Sequence, residues 1–161
     1  MVRVGLLGAG RIGHVHAKSI AAHPGSTLVA VSDVNAEAAA GLAAAHGAAA
    51  RTTEAILADP GIDAVLVATS TDTHADLIEA ATAACKAVLC EKPVDLDLGR
   101  ALRCQEAVAR ATAPVMLGFN RRFDPNFVAL MAAVDGGEIG APELLSLTSF
   151  DPAPPPLSYV K

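Results

Sequence analysis

The chain has 161 residues, of which 52% are apolar and 18% charged, so it is expected to fold around a core rather than remain disordered. Its net charge of −5 and its 3% aromatic content argue against nucleic acid as a partner, because an acidic surface repels phosphates and has few rings for base stacking. Three cysteines without a C-x-x-C pair argue against a disulfide framework and a cysteine zinc site. They favour a reducing compartment, and the lack of a signal sequence or a long apolar run predicts a soluble, cytoplasmic protein.

Strand and helix patterns alternate over the first 118 residues. Continuous apolar runs predict strands buried on both faces at residues 2–7, 27–32, 64–69, 87–90 and 115–118. Helical spacing and capping residues predict helices at residues 12–23, 36–46, 53–58, 74–84 and 96–111, with Asn35 and Asp95 as caps. This alternation predicts an α/β fold with a doubly wound parallel sheet covered by helices on both faces.

The pattern changes after Gly118. Residues 120–125 are polar and turn-like, residues 125–134 predict a helix, residues 144–150 predict one strand, and a proline-rich segment follows at 151–156. One helix and one strand are too few for a domain. We therefore expect residues 1–120 to form one domain and residues 121–161 to be the truncated start of a second α/β domain. The strand at 144–150 should be an unprotected edge, prone to pair with another copy or to be disordered.

A G-x-G-x-x-G run lies between the first predicted strand and the first predicted helix, at residues 8–13. In that context it is typical of a dinucleotide-binding Rossmann domain. Gly8 would permit the tight turn, Gly10 the approach of a pyrophosphate, and Gly13 the packing of helix on strand. Arg11 and Ile12 would contribute N–H groups at the helix N-terminus. The alternative is a glycine turn needed only for packing.

Asp33 stands at the end of the second predicted strand, 20 residues beyond Gly13. A carboxylate there would accept hydrogen bonds from the adenosine ribose hydroxyls. A 2′-phosphate would meet a like charge, and Val34 and Asn35 follow instead of an arginine. The sequence therefore predicts NAD rather than NADP.

Polar residues follow three further predicted strands, where ligands of open α/β sheets bind. Glu91, Lys92 and Pro93 follow the fourth strand, and Pro93 keeps Lys92 out of the helical region. A lysine desolvated beside a cofactor can serve as a base in alcohol oxidation. The alternative for Lys92 is a solvated side chain paired with Glu91.

Two other groups are weaker candidates. Residues 69–74 contain hydroxyl side chains that could line a cofactor groove, although Thr71 or Asp72 could simply cap the next helix. Asn120, Arg121 and Arg122 follow the last strand and could hold substrate hydroxyls or a phosphate, or could form a solvated linker. We predict no metal site, because His14 and His16 point to nearly opposite faces of their helix and no carboxylate completes a ligand set.

Five motifs occur in an order that resembles the Gfo/Idh/MocA oxidoreductases. They are residues 4–13 (VGLLGAGRIG), Asp33, residues 71–74 (TDTH), residues 91–93 (EKP) and residues 118–127 (GFNRRFDPNF). The resemblance covers the whole chain, and the last motif is most similar to members that oxidise inositol. Ser70 is a departure, since the family usually has proline near that point.

The resemblance implies an N-terminal domain that binds NAD(P) and a C-terminal domain that closes over a polyol substrate and forms homo-oligomers. It implies a catalytic role for Lys92, cofactor contacts from Thr69, Ser70, Thr71, His74, Glu91 and Lys92, and substrate contacts from Asn120 and Arg122. It also implies a catalytic Asp and His from the second domain, which this chain of about half the family's length lacks. We therefore expect the chain to be inactive alone. The alternatives are a non-catalytic dinucleotide-binding module, or a parent enzyme acting on another polyol, a sugar or a dihydrodiol.

Overall fold

The computed structural model describes residues 1–150 and 153–154, and the chain divides into two units, Met1–Phe119 and Asn120–Lys161. The first unit contains a six-stranded, wholly parallel sheet in the order β3-β2-β1-β4-β5-β6. The strands are β1 (Val2–Leu7), β2 (Ser26–Ser32), β3 (Ala49–Ala50), β4 (Ala64–Val67), β5 (Ala87–Cys90) and β6 (Val115–Leu117). The helices of this unit are α1 (Arg11–Ala22), α2 (Ala36–Ala45), α3 (Thr53–Ala58), α4 (His74–Ala83) and α5 (Leu98–Ala109).

The strands are apolar along their whole length because each face of the sheet carries its own core. One core joins Leu7, Val65 and Val67 to side chains of α3, α4 and α5, among them Ile56 and Ile78. The other joins alternate strand residues, such as Leu6 and Leu66, to α1 and α2. Helices on both faces of a parallel sheet in this order define a Rossmann-type α/β fold, as the alternating pattern predicts.

The strand order creates a crevice at one place. The chain runs outward from β1 to β2 and β3, then returns across the sheet to β4 on the other side of β1. Connections leave β1 and β4 in opposite directions, so a gap opens beyond their carboxyl ends. This crevice is where the polar residues at the strand ends collect.

Local details depart from the sequence predictions in ways that packing explains. The two-residue strand β3 was not predicted, because Ala49 and Ala50 carry no pattern of their own and are ordered by pairing with β2. Asp95 is not the cap of α5. That role falls to Asp97, whose carboxylate accepts from the N–H of Arg100 at 2.6 Å. The cap of α2 by Asn35 is confirmed, with its side chain accepting from two N–H groups of the first turn.

In the second unit, residues Asn120–Phe123 form a 3-10 turn and Pro125–Asp135 form helix α6. The predicted strand at 144–150 is wrong: these residues form no strand, and Leu144 and Phe150 are 90% and 88% exposed. A strand requires a neighbour for its backbone hydrogen bonds, and none lies beside it among the described residues. The proline-rich segment at 151–156 lies mostly outside the described residues. Within residues 1–150 and 153–154, no helix is long and apolar enough to cross a membrane.

The three thiols should differ sharply in reactivity. Burial, reinforced by the negative charges that Cys104 and Glu91 can carry, raises the pKa of Cys90 to about 12, and burial also raises that of Cys104, whereas Cys85 is exposed. Since the thiolate is the nucleophile, iodoacetamide at mildly alkaline pH should modify Cys85 alone in the folded chain and all three in denaturant. Mass spectrometry of tryptic peptides measures this. Equal labelling of Cys90 and Cys85 in the folded chain would contradict the burial described here.

Candidate functional site

The glycine run forms a tight turn from β1 into α1 that only glycine fits at two of its three positions. Gly8 has φ of +105°, and a β-carbon there would collide with the carbonyl oxygen of Ala68 at the end of β4. A β-carbon on Gly13 would collide with the carbonyl oxygen of Gly8. Among the residues that the structure describes, nothing lies within 4 Å of the β-carbon position of Gly10. Gly10 therefore has no packing reason to be glycine, and the space beside it is free for a ligand.

The N-terminus of α1 faces that space with its N–H groups uncapped. Gly10 provides the N-cap without a side-chain hydrogen bond, and the first intrahelical bond runs from the N–H of His14 to the Gly10 carbonyl at 3.0 Å. The first turn holds no acidic residue. Unpaired N–H groups and the positive end of the helix dipole together favour an anion such as a pyrophosphate. Arg11 is exposed and Ile12 half-buried at the start of this helix.

The carboxylate of Asp33 fastens the glycine turn to the end of β2. One oxygen accepts from the N–H of Ala9 at 2.6 Å and the other from the N–H of Asn35 at 2.8 Å. A carboxylate has four acceptor positions, so two remain for further donors. The residue expected to hold ribose hydroxyls thus also shapes the turn expected to hold the pyrophosphate.

A cavity of about 640 Å³ opens beside Asp33, within the usual range for a small-molecule site. It is lined by the ends of β2, β3 and β4 and the starts of the helices that follow them. Thr69 and Ser70 border it, as the sequence predicted, whereas Thr71, His74, Glu91 and Lys92 do not. Its lining is Ser32, Asp33, Val34, Ala36, Ala39, Ala50, Arg51, Thr52, Thr53, Glu54, Thr69, Ser70, Thr73 and Leu77.

Arg51 is one of several lining residues that sequence reasoning missed. It follows β3, which places it on the same cavity as Asp33 although the two are 18 positions apart. Its guanidinium pairs with the carboxylate of Asp59 at 2.5 Å. Hydrogen bonds from Gly61 and Arg51 hold the pKa of Asp59 below its usual value, so the pair stays charged at neutral pH. The cavity therefore contains an arginine, but one whose charge is already balanced.

The turn Glu91–Lys92–Pro93 follows β5 and contains a cis peptide bond before Pro93. Glu91 does not pair with Lys92, which corrects the alternative considered from sequence. Its carboxylate accepts from Nε2 of His16 on α1 at 2.7 Å, and both side chains are mostly buried. Lys92 is exposed, and within the described residues its ammonium makes no hydrogen bond or ion pair. Lys92 is free to meet a ligand.

His74 lies beneath this site rather than on its surface. It is 2% exposed, and its Nδ1 and Nε2 lie 2.7 and 3.1 Å from the carbonyl oxygens of Pro93 and Thr69. Both ring nitrogens are therefore occupied by the main chain, which corrects the expectation that His74 contacts a cofactor directly. Neither Thr71 nor Asp72 caps α4, since both belong to a 3-10 turn and Thr73 precedes the helix without a side-chain cap.

Asn120 and Arg122, the predicted substrate contacts, belong to the second unit. Both are exposed in its 3-10 turn. The neighbouring Arg121 lies over the ring of Phe127, 5.4 Å from the ring centroid, as a cation–π pair.

An uncapped helix N-terminus, a glycine with free space beside it and an acidic residue at the end of the next strand are the parts of a dinucleotide-binding Rossmann domain. The comparisons agree with that class. Residues 2–119 match the family model described as an oxidoreductase family with an NAD-binding Rossmann fold, named GFO_IDH_MocA. The chain belongs to the Gfo/Idh/MocA oxidoreductases, and its cofactor is NAD.

Individual relatives point the same way. The chain is 52% identical over 160 residues to an inositol 2-dehydrogenase from Rhizobium meliloti, covering 99% of this chain and 48% of that protein. A crystal structure of a myo-inositol dehydrogenase from Corynebacterium glutamicum aligns with TM-score 0.83 and 46% identity, over 88% of this chain and 43% of that one. A myo-inositol dehydrogenase from Lactobacillus casei, solved with NAD(H) and myo-inositol, aligns with TM-score 0.82 and 31% identity over the same shares. The chain thus spans about half the length of the relatives it matches.

The glycine geometry predicts that alanine substitutions at Gly13 and at Gly10 differ in their effect on the stability of the chain. Gly13→Ala should destabilise the chain by roughly 1–3 kcal/mol, because its methyl group meets backbone that cannot move aside. Gly10→Ala should leave stability within about 0.5 kcal/mol, because its site is open and its φ of −75° suits alanine. Urea denaturation followed by circular dichroism measures both. Equal losses at the two positions would contradict the assignment of free space to Gly10.

Proposed function

We propose that the chain supplies the cofactor half of an NAD-dependent inositol 2-dehydrogenase, which oxidises one ring hydroxyl of myo-inositol to a ketone. The observation that carries the proposal is the open space beside Gly10, bordered by the free N–H groups of α1 and followed by the Asp33 carboxylate. The relatives named above are inositol dehydrogenases, and one was solved with NAD(H) and myo-inositol. Their names support inositol as the substrate.

Different residues of the chain bind different parts of the cofactor. Gly8 and Gly13 shape the turn, while Gly10, Arg11 and Ile12 present backbone to the pyrophosphate. Asp33 accepts from the adenosine ribose hydroxyls, and Thr69, Ser70 and Thr71, which follow β4, make further cofactor contacts. Glu91 and Lys92 serve the nicotinamide end.

Lys92 is the catalytic residue that we assign to this chain. A bound NAD would supply the hydride acceptor for the carbon that bears the reacting hydroxyl. The proton of that hydroxyl must leave at the same time, and an amine held at the end of β5 can accept or relay it. Asn120 and Arg122 would hold other hydroxyls of the polyol. The family resemblance implies that an Asp and a His outside these 161 residues complete the catalytic set.

The preference for NAD has a basis in two of the charged side chains that line the cavity, Asp33 and Arg51. Asp33 would repel a 2′-phosphate at the ribose that it holds. Arg51 is the cation that could offset this repulsion, but Asp59 already neutralises it. Free cysteines accord with a reducing, cytoplasmic location, and the resemblance favours a homo-oligomeric parent enzyme.

A second function is that of a dinucleotide-binding module without catalysis, because the glycine turn, the start of α1 and Asp33 can bind a dinucleotide whether or not a reaction follows. A third keeps the oxidoreductase class but changes the substrate to another polyol, a sugar or a dihydrodiol. The three proposed functions predict different results when the chain is supplied with NAD and substrate, so one assay distinguishes them.

The assay measures NADH formation by the 161-residue chain with NAD and a panel of polyols that includes myo-inositol. We expect the chain to bind NAD without turnover. Joined to the C-terminal half of a close relative, it should oxidise myo-inositol, and Lys92→Ala in that protein should lower kcat by about 10²-fold or more while NAD still binds. Unchanged turnover in the Lys92→Ala protein would remove Lys92 from the mechanism. Turnover of another polyol in preference to inositol would overturn the substrate assignment.

Replacement of Asp33 should change cofactor preference. Asp33→Asn should weaken NAD binding by about tenfold, because it removes a charged acceptor from the ribose hydroxyls, and should narrow the gap between NAD and NADP. Gly10→Ala, which has room in the free chain, should abolish binding of both. Calorimetric titration measures the affinities. Unchanged NAD affinity in Asp33→Asn would contradict the ribose assignment.

A further inference from the structure

The imidazoles of His16 and His74 contact the Glu91–Lys92–Pro93 turn. The proposed cofactor contacts give neither of these imidazoles a role. His16 lies on α1, one helical turn beyond Arg11 and Ile12, and donates from Nε2 to the Glu91 carboxylate at 2.7 Å. His74 is the first residue of α4, and its Nδ1 lies 2.7 Å from the carbonyl oxygen of Pro93. Both ring nitrogens of His74 face carbonyl oxygens, which only accept, and a neutral imidazole has one N–H; we assign that N–H to Nδ1, whose contact is the shorter of the two. Lys92 stands between the two residues that are held.

Two backbone neighbours also restrict Glu91. The N–H of Glu91 donates to the carbonyl of Val67 at 2.9 Å, which continues the pairing of β5 with β4 by one residue. A β-carbon on Gly118, just after β6, would lie 3.3 Å from the carboxyl carbon and both oxygens of Glu91. The carboxylate therefore fits between the imidazole of His16 and the backbone of Gly118. It has little freedom to turn away.

We propose that His16 and His74 are positioning residues that together aim Lys92 at the nicotinamide end of the cofactor. His16 links the pyrophosphate helix α1 to Glu91, and His74 links the end of β4 to Pro93 through the carbonyls of Thr69 and Pro93. Neither acts on the cofactor itself. Both act through the Glu91–Lys92–Pro93 turn, and the inference rests on the proposed role of Lys92 beside the nicotinamide.

Closely matched variants are available, because an amide side chain can replace one nitrogen of each imidazole. The amide nitrogen of glutamine can take the place of Nε2, so His16→Gln keeps the donor to Glu91 while His16→Ala removes it. At position 74, the amide nitrogen of asparagine can replace Nδ1 and donate to Pro93, whereas the amide nitrogen of glutamine takes the place of Nε2 and can donate only to Thr69. The two variants at position 74 each retain one hydrogen bond of a buried side chain. They therefore test the Pro93 contact without relying on His74→Ala, which leaves a buried gap.

The readout compares two ligands of the 161-residue chain by calorimetry. NADH reaches the turn with its nicotinamide, whereas ADP-ribose has the same adenosine and pyrophosphate but no nicotinamide. His16→Ala and His74→Gln should weaken NADH binding by about tenfold, the factor that loss of one net hydrogen bond produces, and change ADP-ribose binding by less than about twofold. His16→Gln and His74→Asn should restore most of the NADH affinity. Lys92→Ala should show the same selective loss, and adding His16→Ala to it should weaken NADH binding no further.

Two control variants separate positioning from general destabilisation. Lys18→Ala changes an exposed side chain of α1, and Thr82→Ala removes a buried hydroxyl that bonds only to backbone of its own helix α4. Both should bind the two ligands like the original chain. Equal losses for NADH and ADP-ribose in His16→Ala and His74→Gln, or full additivity with Lys92→Ala, would overturn the inference. An original chain that binds neither ligand would instead overturn the proposed function.

Discussion

The site depends on one close approach of backbone to backbone. The carbonyl oxygen of Gly8 occupies the space where a β-carbon of residue 13 would lie, and the backbone of Ala68 crowds Gly8 in the same way. This packing lets α1 begin with only three residues between it and β1, so that its first N–H groups face the crevice beside β4. The carboxylate of Asp33 then fastens the turn through the N–H of Ala9. A bulkier turn would displace both the helix and the carboxylate that a dinucleotide needs.

The sequence revealed the parts of the fold that have a strong local pattern. Apolar strands such as residues 2–7 are predictable because burial on both faces leaves no room for polar side chains. The strand β3 was hidden because two alanines gain their conformation from β2 alone. The segment 144–150 has the composition of a strand, but composition cannot supply the partner that a strand requires. The sequence pattern therefore predicts strands whose residue types are set by burial, and it fails for segments whose structure depends on pairing with a neighbouring strand.

The same division applies to the site. The positions of the glycine turn and of Asp33 in the fold were predictable because their spacing along the chain is fixed by the strand-turn-helix unit that they build. Arg51 was missed because its position depends on the unpredicted strand β3. The bond between His16 and Glu91 joins residues 75 positions apart, whereas the sequence offered a Glu91–Lys92 pair only as an alternative. For His16, helical spacing indicates a face of α1, but only the strand order shows that β5 ends opposite that face.

The exposed thiol of Cys85 lies just before β5, at the amino end of the sheet, while the crevice lies beyond the carboxyl ends. A parallel sheet separates these two edges by the length of its strands. A maleimide linker at this cysteine would therefore anchor the molecule to a sensor chip with its cofactor crevice facing the flowing buffer. The native chain offers an oriented surface attachment without any added tag.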